Sequence, residues 1–372
     1  MENTEVLLQP PLGEWHAAHG GRIVEFAGWS MPIQYSTIIE EHHATRRAIG
    51  MFDVSHMGRF IFLGKDAETF LEGLTTRRTA GMKLGQIRYS LLVNEQGTIL
   101  DDILVYRLPR TKGGDFFAMV VNASNRNKIK NWILQHQGGF DIGFEDRTFD
   151  SGMIAVQGPR ALELVAPHCR DNPCELAYYT AVRTEIFGAE VLLSRTGYTG
   201  EDGCEIVAPN DDAIEIWQQL HDIGQAMGLK PAGLGCRDTL RLEAAMPLYG
   251  HELSEAIPAA QTGLDFAINL KDRSFLGRDA IVAARQTVLP RRVGLQLSGR
   301  RAAREGYPVY RDATQIGVVT SGGFSPTLEQ PIAMAYVDPT AAEVGSQLEV
   351  DIRGARHAAQ VVPLPFYQRP SA

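Results

Sequence analysis

Cysteine is scarce: Cys169, Cys174, Cys204 and Cys236 are the four in 372 residues. That is too few for a disulfide framework, so free thiols are expected. Cys169 and Cys174 lie five apart with no His or further Cys cluster beside them, which argues against zinc. Long apolar runs are also missing; nothing approaches the ~18 residues of a membrane span. Positive charge is in deficit, with a formal net charge of −8, which argues against binding nucleic acid or an anionic membrane through bulk electrostatics. A local basic pocket for a small anion is still allowed. The N-terminal MENTEVLLQPPLGEW has no basic-then-apolar design, and a cytoplasmic protein without a targeting segment is expected. No glycine loop with a following Lys-Ser or Lys-Thr, no dinucleotide fingerprint, no G-x-S-x-G elbow and no His-Glu-x-x-His pair occurs.

What is present is ordinary globular composition, 44% hydrophobic and 22% charged, in a chain long enough for two or three domains. Helical periodicity is read over 36–50, 122–137, 211–227 and 237–246, and strands over 58–64 and 87–106. In 122–137 the apolar face is Ile129, Trp132, Ile133 and Leu134. His42 and His43, within IIEEHHATRRAIG, read as part of a charged helix face rather than metal ligands. EIFGAEVLLSR (185–195) reads as a hairpin. Short helices among hairpins predict an α+β fold with antiparallel sheets. From about residue 291 the texture becomes short strands set off by Gly, Pro and Asp, a small β-barrel or sandwich, with 271–290 as connector.

Three polar clusters stand out. GTILDDILVY (97–106) places two carboxylates in a strand-like run. Alternation puts Asp101 with Ile99, Ile103 and Val105 on one face, and Asp102 with Leu100, Leu104 and Tyr106 on the other. Either inward face therefore buries a carboxylate, which must cap a turn, meet an arginine or contact a ligand. RTGYTGEDGCEI (195–206) is a turn-rich acidic loop. Glu201, Asp202 and Glu205 solvate it, or Glu205 takes two parallel hydrogen bonds from an amidine-like edge such as that of a pterin or purine. LGCRDTLRLEA (234–244) sets Arg237 and Arg241 on one helix face, where surface ion pairs and anion binding are equal readings.

Together FAGWSMPIQY, FDVSHM, NEQGTILDDILVY, GYTGEDGCEI, GLGCRDTLRLEAAMPLYGHEL and TSGGFSPTLEQPIAMAYV resemble the aminomethyltransferases of the glycine cleavage system, the T proteins. The similarity runs from about residue 10 to 366 with the blocks in matching order. It implies a three-domain, cloverleaf-like folate-binding fold with a C-terminal small β-barrel. Residues 1–280 would form the folate-binding region, two interleaved α+β subdomains, and 285–372 the barrel domain. It implies transfer of an aminomethyl group from the lipoyl arm of the H protein to tetrahydrofolate, with loss of ammonia and no metal. Asp102 matches the carboxylate set against the folate nitrogens, which leaves Asp101 to the opposite face. Glu205 matches the acid gripping the pterin, and Arg237 a ligand-contacting arginine. Met57, Tyr89 and Tyr106 match folate neighbours, and Arg292 an arginine suited to the glutamate tail. Glycine decarboxylase and dihydrolipoyl dehydrogenase are implied as members of the same system, and a basic docking patch for the acidic H protein is expected.

Two departures stand against the family pattern. Phe266, in GLDFAINL, replaces a frequent tryptophan, and Tyr367 does not align clearly with the family's late tyrosine. Rival readings are a stand-alone folate-dependent demethylase and a folate-binding iron–sulfur assembly factor. The latter carries a Lys-Gly-Cys-Tyr-x-Gly-Gln segment where this chain has RTGYTGEDGCE.

Overall fold

The computed structural model describes residues 6–110 and 114–370, so part of the N-terminal stretch lies outside the described residues. The chain forms two compact units: 1–67, 82–88 and 104–238 make one, and 68–81, 89–103 and 239–372 the other. The strand Ile99–Pro109 passes from the second unit into the first.

The first unit contains a six-stranded sheet ordered Ala181–Ile186, Ala189–Ser194, Gly203–Pro209, Ser151–Gln157, Ile49–Asp53 and Leu229–Pro231. All pairings are antiparallel except the last. The expected hairpin is present, joined by Phe187 and Gly188 at φ 51° and 84°, the doubly left-handed turn that matches strand twist. Behind the sheet runs helix Asn210–Gly224, which opens on Asp211 and Asp212, favourable charges at a helix start. It buries Ala213, Ile216, Trp217, Leu220 and Gly224, a stripe at helical spacing. A second ladder of this unit pairs the Leu104–Pro109 half of the long strand with Asp115–Val121, then Gly58–Leu63 and Gly143–Asp146.

Three readings of helices are adjusted by the structure. Residues 36–50 form a helix only over Ile38–Arg47, capped by the Thr37 side chain accepting from the Glu40 N–H, and then enter a strand. This helix is no solvated charged face, because Glu41, His42, Thr45 and Arg46 are all buried. In Arg126–His136, Ile129 and Ile133 are buried but Leu134 is 42% exposed, so the apolar stripe is narrower than expected. The helix placed at 237–246 runs Leu234–Glu243 and stops before Ala245, whose φ of 53° cannot continue a right-handed turn.

The second unit contains the expected C-terminal barrel. Its six strands close in the order Arg291–Leu297, Gln330–Val337, Thr314–Ser325, Pro308–Arg311, Gln347–Ile352 and Ala355–Val362. Inward residues alternate: Val293, Leu295 and Leu297; Ala333, Ala335 and Val337; Leu348, Val350 and Ile352. A separate core in the same unit gathers Leu91, Val93, Ile99, Leu253, Leu264, Phe275 and Ile281 around the turn that precedes the long strand. Among the described residues no helix is long and apolar enough to cross a membrane.

Candidate active site

In the second unit the site is built around Asp102. Its strand is anchored at Ile99, whose N–H donates to the Ile257 carbonyl and whose carbonyl accepts the Tyr249 phenol, both at 3.3 Å. Alternation resolves the two carboxylates. Asp101 is on the fully buried face with Ile99, Ile103 and Val105, whereas Asp102 is half-buried. The core-facing acid is therefore Asp101. Tyr89, on the neighbouring strand Ile87–Val93, donates its phenol to Asp102 Oδ2 at 3.1 Å. The ring of Phe266 stands 5.7 Å from that of Tyr89 at 30°, so the departure from the family tryptophan falls beside this tyrosine. Arg292 lies on the first barrel strand, facing the Ala245 carbonyl at 3.4 Å and opposite Tyr336 in register.

In the first unit Glu205 is the centre. Gly203 starts its strand at φ 152°, and a Cβ there would fall 2.2 Å from the Val156 carbonyl, so only glycine permits this approach. Pairing places Glu205 opposite Ser194. The Thr196 hydroxyl donates to Glu205 Oε2, and the Ser194 and Thr196 hydroxyls are 2.9 Å apart. Burial pushes the Glu205 carboxyl above its ordinary range, against the pull of Thr196 and the Arg237 charge. Tyr106 belongs to the same neighbourhood: its phenol is pushed up by burial and then by Glu205, while Ser194 and Thr196 oppose. Met57 packs in the apolar cluster that holds Tyr106. The Arg237 guanidinium is 4.8 Å from the Tyr198 ring centroid, its Nη1 buried without a hydrogen-bond partner among the described residues. Burial lowers its pKa and Glu205 opposes. The first unit thus gathers Met57, Tyr106, Glu205 and Arg237, and the second gathers Tyr89 and Asp102.

The solvating reading of the acidic loop fails. Glu201 is 7% exposed and pairs with Arg46 Nη1 at 3.0 Å, and Asp202 meets Arg195 Nη2 at 2.6 Å. Arg241 makes no surface ion pair either. It is buried and held by Glu252 at 3.0 Å, with Nη2 donating to Ser321 Oγ at 3.0 Å.

The supports of the FDVSHM loop escaped the sequence reading. Asp53 is buried, its Oδ2 2.8 Å from His16 Nε2 and its Oδ1 accepting the Ser55 N–H at 2.8 Å. His16 Nδ1 is 2.8 Å from the Tyr35 hydroxyl. Burial acts to raise the Asp53 pKa, but His16 and Ser55 outweigh it and the carboxyl is lowered. Arg59 is buried. It donates to the carbonyls of Ser55 (3.0 Å), Met57 (2.6 Å), Ser151 (2.6 Å) and Thr148, and to Ser151 Oγ (2.9 Å). Burial brings it down to about 10. His56, beside Met57, is buried and lowered to about 3 by burial first and the Arg237 charge second. The available signal was weak: one arginine and one histidine flanking a methionine in HMGR.

Residues 12–272 match the family model described as the GCVT N-terminal domain, and 291–368 match the glycine cleavage T-protein C-terminal barrel domain. The chain belongs to the glycine cleavage T-protein family. An aminomethyltransferase of Desulfitobacterium hafniense (strain DSM 10664 / DCB-2) is 41% identical over 98% of this chain and 99% of that protein. One of Saccharopolyspora erythraea is 44% identical over 97% and 98%. The crystal structure of the glycine cleavage system aminomethyltransferase T from Bartonella henselae superposes with a TM-score of 0.91 at 32% identity, covering 98% and 99% of the two chains. As a T-protein family member the chain is an aminomethyltransferase with the α+β, antiparallel, barrel-ended fold expected of it. Among the described residues no group of three or more His, Cys, Asp or Glu is placed to hold a metal ion.

Proposed function

We propose that this chain takes the aminomethyl group from the lipoyl arm of the H protein, releases ammonia and forms 5,10-methylenetetrahydrofolate. The observation that carries the folate assignment is Glu205. It is a buried carboxylate with one oxygen tied to Thr196, set by Arg237, whose buried Nη1 has no partner among the described residues. Such a donor–acceptor set fits a cyclic amidine edge with an adjacent carbonyl. Tetrahydrofolate, when bound, supplies the nitrogens that receive the one-carbon unit. Glu205 holds the ring end and Arg237 assists it. Met57 and Tyr106 line that end, with Tyr89 as a further aromatic neighbour, and Arg292 takes the glutamate tail.

Asp102 is the catalytic residue in this reading. A carboxylate against the reacting nitrogen orients it and stabilises positive charge that develops as ammonia leaves. Its half-buried position keeps water from screening that charge fully. Residues 1–280 act as the folate-binding region, two interleaved subdomains, and 285–372 as the barrel domain; the two family matches support this division. The chain works in the cytoplasm beside glycine decarboxylase and dihydrolipoyl dehydrogenase.

The test is ammonia release from H protein carrying the aminomethyl-lipoyl group, with and without tetrahydrofolate. Release that requires folate is expected. Full-rate release without it contradicts the proposal, and methyl transfer to folate from a sulfur or nitrogen compound would favour the demethylase.

A further inference from the structure

We infer that Tyr89 is a positioning residue for Asp102, acting through its phenol rather than only as an aromatic wall. The inference rests on the reading of Asp102 as the reacting carboxylate and goes beyond it in naming what aims that carboxylate. An aspartate on a strand has two rotatable side-chain bonds, so a hydrogen bond to one oxygen restricts the plane of its carboxylate. The Tyr89 hydroxyl, 3.1 Å from Oδ2, fixes that plane from the neighbouring strand. A bond to a charged acceptor is stronger than one between neutral groups, so the carboxylate gains direction as well as a partner.

Tyr89 is itself held at both ends. Its ring belongs to the core of Leu91, Val93, Ile99, Leu253 and Phe275, together with Tyr249. Tyr249 in turn binds the Ile99 carbonyl, three residues before Asp102. The Tyr89 ring also meets Phe266, a residue that is 57% exposed. A large apolar ring kept that exposed contributes little to folding; its contact with Tyr89 gives it the task of limiting how the phenol tilts. Two tyrosines thus serve one strand, Tyr249 fixing its backbone and Tyr89 fixing its functional side chain.

The test is Tyr89→Phe, which keeps the ring and deletes only the donor. The lost charge-assisted bond predicts a fall in kcat of about ten- to thirty-fold. The KM for tetrahydrofolate should stay within about two-fold, because the ring surface is unchanged. In an Asp102→Asn background the same change should cost less than about two-fold, since the phenol acts through the carboxylate. An unaltered thermal midpoint checks that the variant folds. A Tyr89→Phe enzyme with parental kcat overturns the inference, as does a loss confined to KM. If Asp102→Asn itself turned over normally, the catalytic reading of Asp102 would fall first, which separates the two failures.

Discussion

At the scale of single residues, the buried side chains around FDVSHM carry opposite pH signatures. His56 is buried, and its folded pKa of about 3 lies below the ordinary imidazole value of about 6.5. Below pH 6.5 the unfolded chain binds a proton that the folded chain refuses, so this group withdraws stability as pH falls from 6.5 toward 3. The folding equilibrium should lose up to about ten-fold per pH unit in that window from His56 alone. His56→Gln is therefore expected to flatten the dependence of the denaturation midpoint on pH between 6 and 4. An unchanged slope would mean that the imidazole is protonated in the folded state. Asp53 acts at lower pH. Its depressed carboxyl contributes stability that is present above its unfolded value and disappears as pH falls through the folded one. Arg59 has no titrating part in this range; it fixes the loop by filling five hydrogen bonds with backbone and hydroxyl oxygens.

At the scale of elements, the second unit is fastened by buried charge. Glu252 accepts Arg241 Nη1 and the Leu248 N–H on one oxygen, each at 3.0 Å, and the Thr320 hydroxyl at 2.6 Å on the other. The Glu243 carboxylate takes the Thr327 N–H at 3.0 Å and the hydroxyls of Ser325 and Thr327 at 2.5 and 2.7 Å. These bonds join helix Leu234–Glu243 and the LYGHEL segment to barrel strand Thr314–Ser325 and the turn after it. Glu252→Gln removes a buried negative charge 3.0 Å from the Arg241 guanidinium and should cost about 3 kcal/mol of stability, read as a lowered urea midpoint at unchanged slope. A loss below about 1 kcal/mol would mean that Arg241 finds another partner.

The same elements mark what could be read from sequence. Strand alternation in GTILDDILVY correctly paired each carboxylate with its face, because the period is two. Which face turned inward was not legible, since both carry aliphatic residues and the decision comes from the segment around Tyr249 and Ile257. The barrel was legible from its punctuation and alternating Val, Leu and Ala. The burial of Arg241, Glu243 and Glu252 was not, because the barrel-side hydroxyls that bind them lie 68 to 84 residues away. The helix start at Leu234 was hidden by Gly233 and Gly235, poor helix formers retained for space. A Cβ on Gly233 would come 2.3 Å from the Ile33 backbone, and one on Gly235 2.6 Å from the Ile38 side chain.

At the scale of the molecule, family membership gives the reaction class, and the residue roles are proposed from local chemistry. Similarity over 98% of the chain fixes the reaction class, while burial and hydrogen bonding give the proposed site residues their physical surroundings. Glu205 has the burial and single tied oxygen that a ring-gripping acid needs, and Asp102 has an oriented, half-exposed carboxylate. The central claim is that Asp102 serves the chemical step more than the binding of folate. Asp102→Asn preserves shape and removes charge, so the decisive measurement is methylenetetrahydrofolate formation by this variant alongside tetrahydrofolate binding by calorimetry. The account predicts turnover reduced at least about a hundred-fold with the folate dissociation constant changed by less than about three-fold. Near-parental turnover, or a variant that fails only because it no longer binds folate, would contradict it.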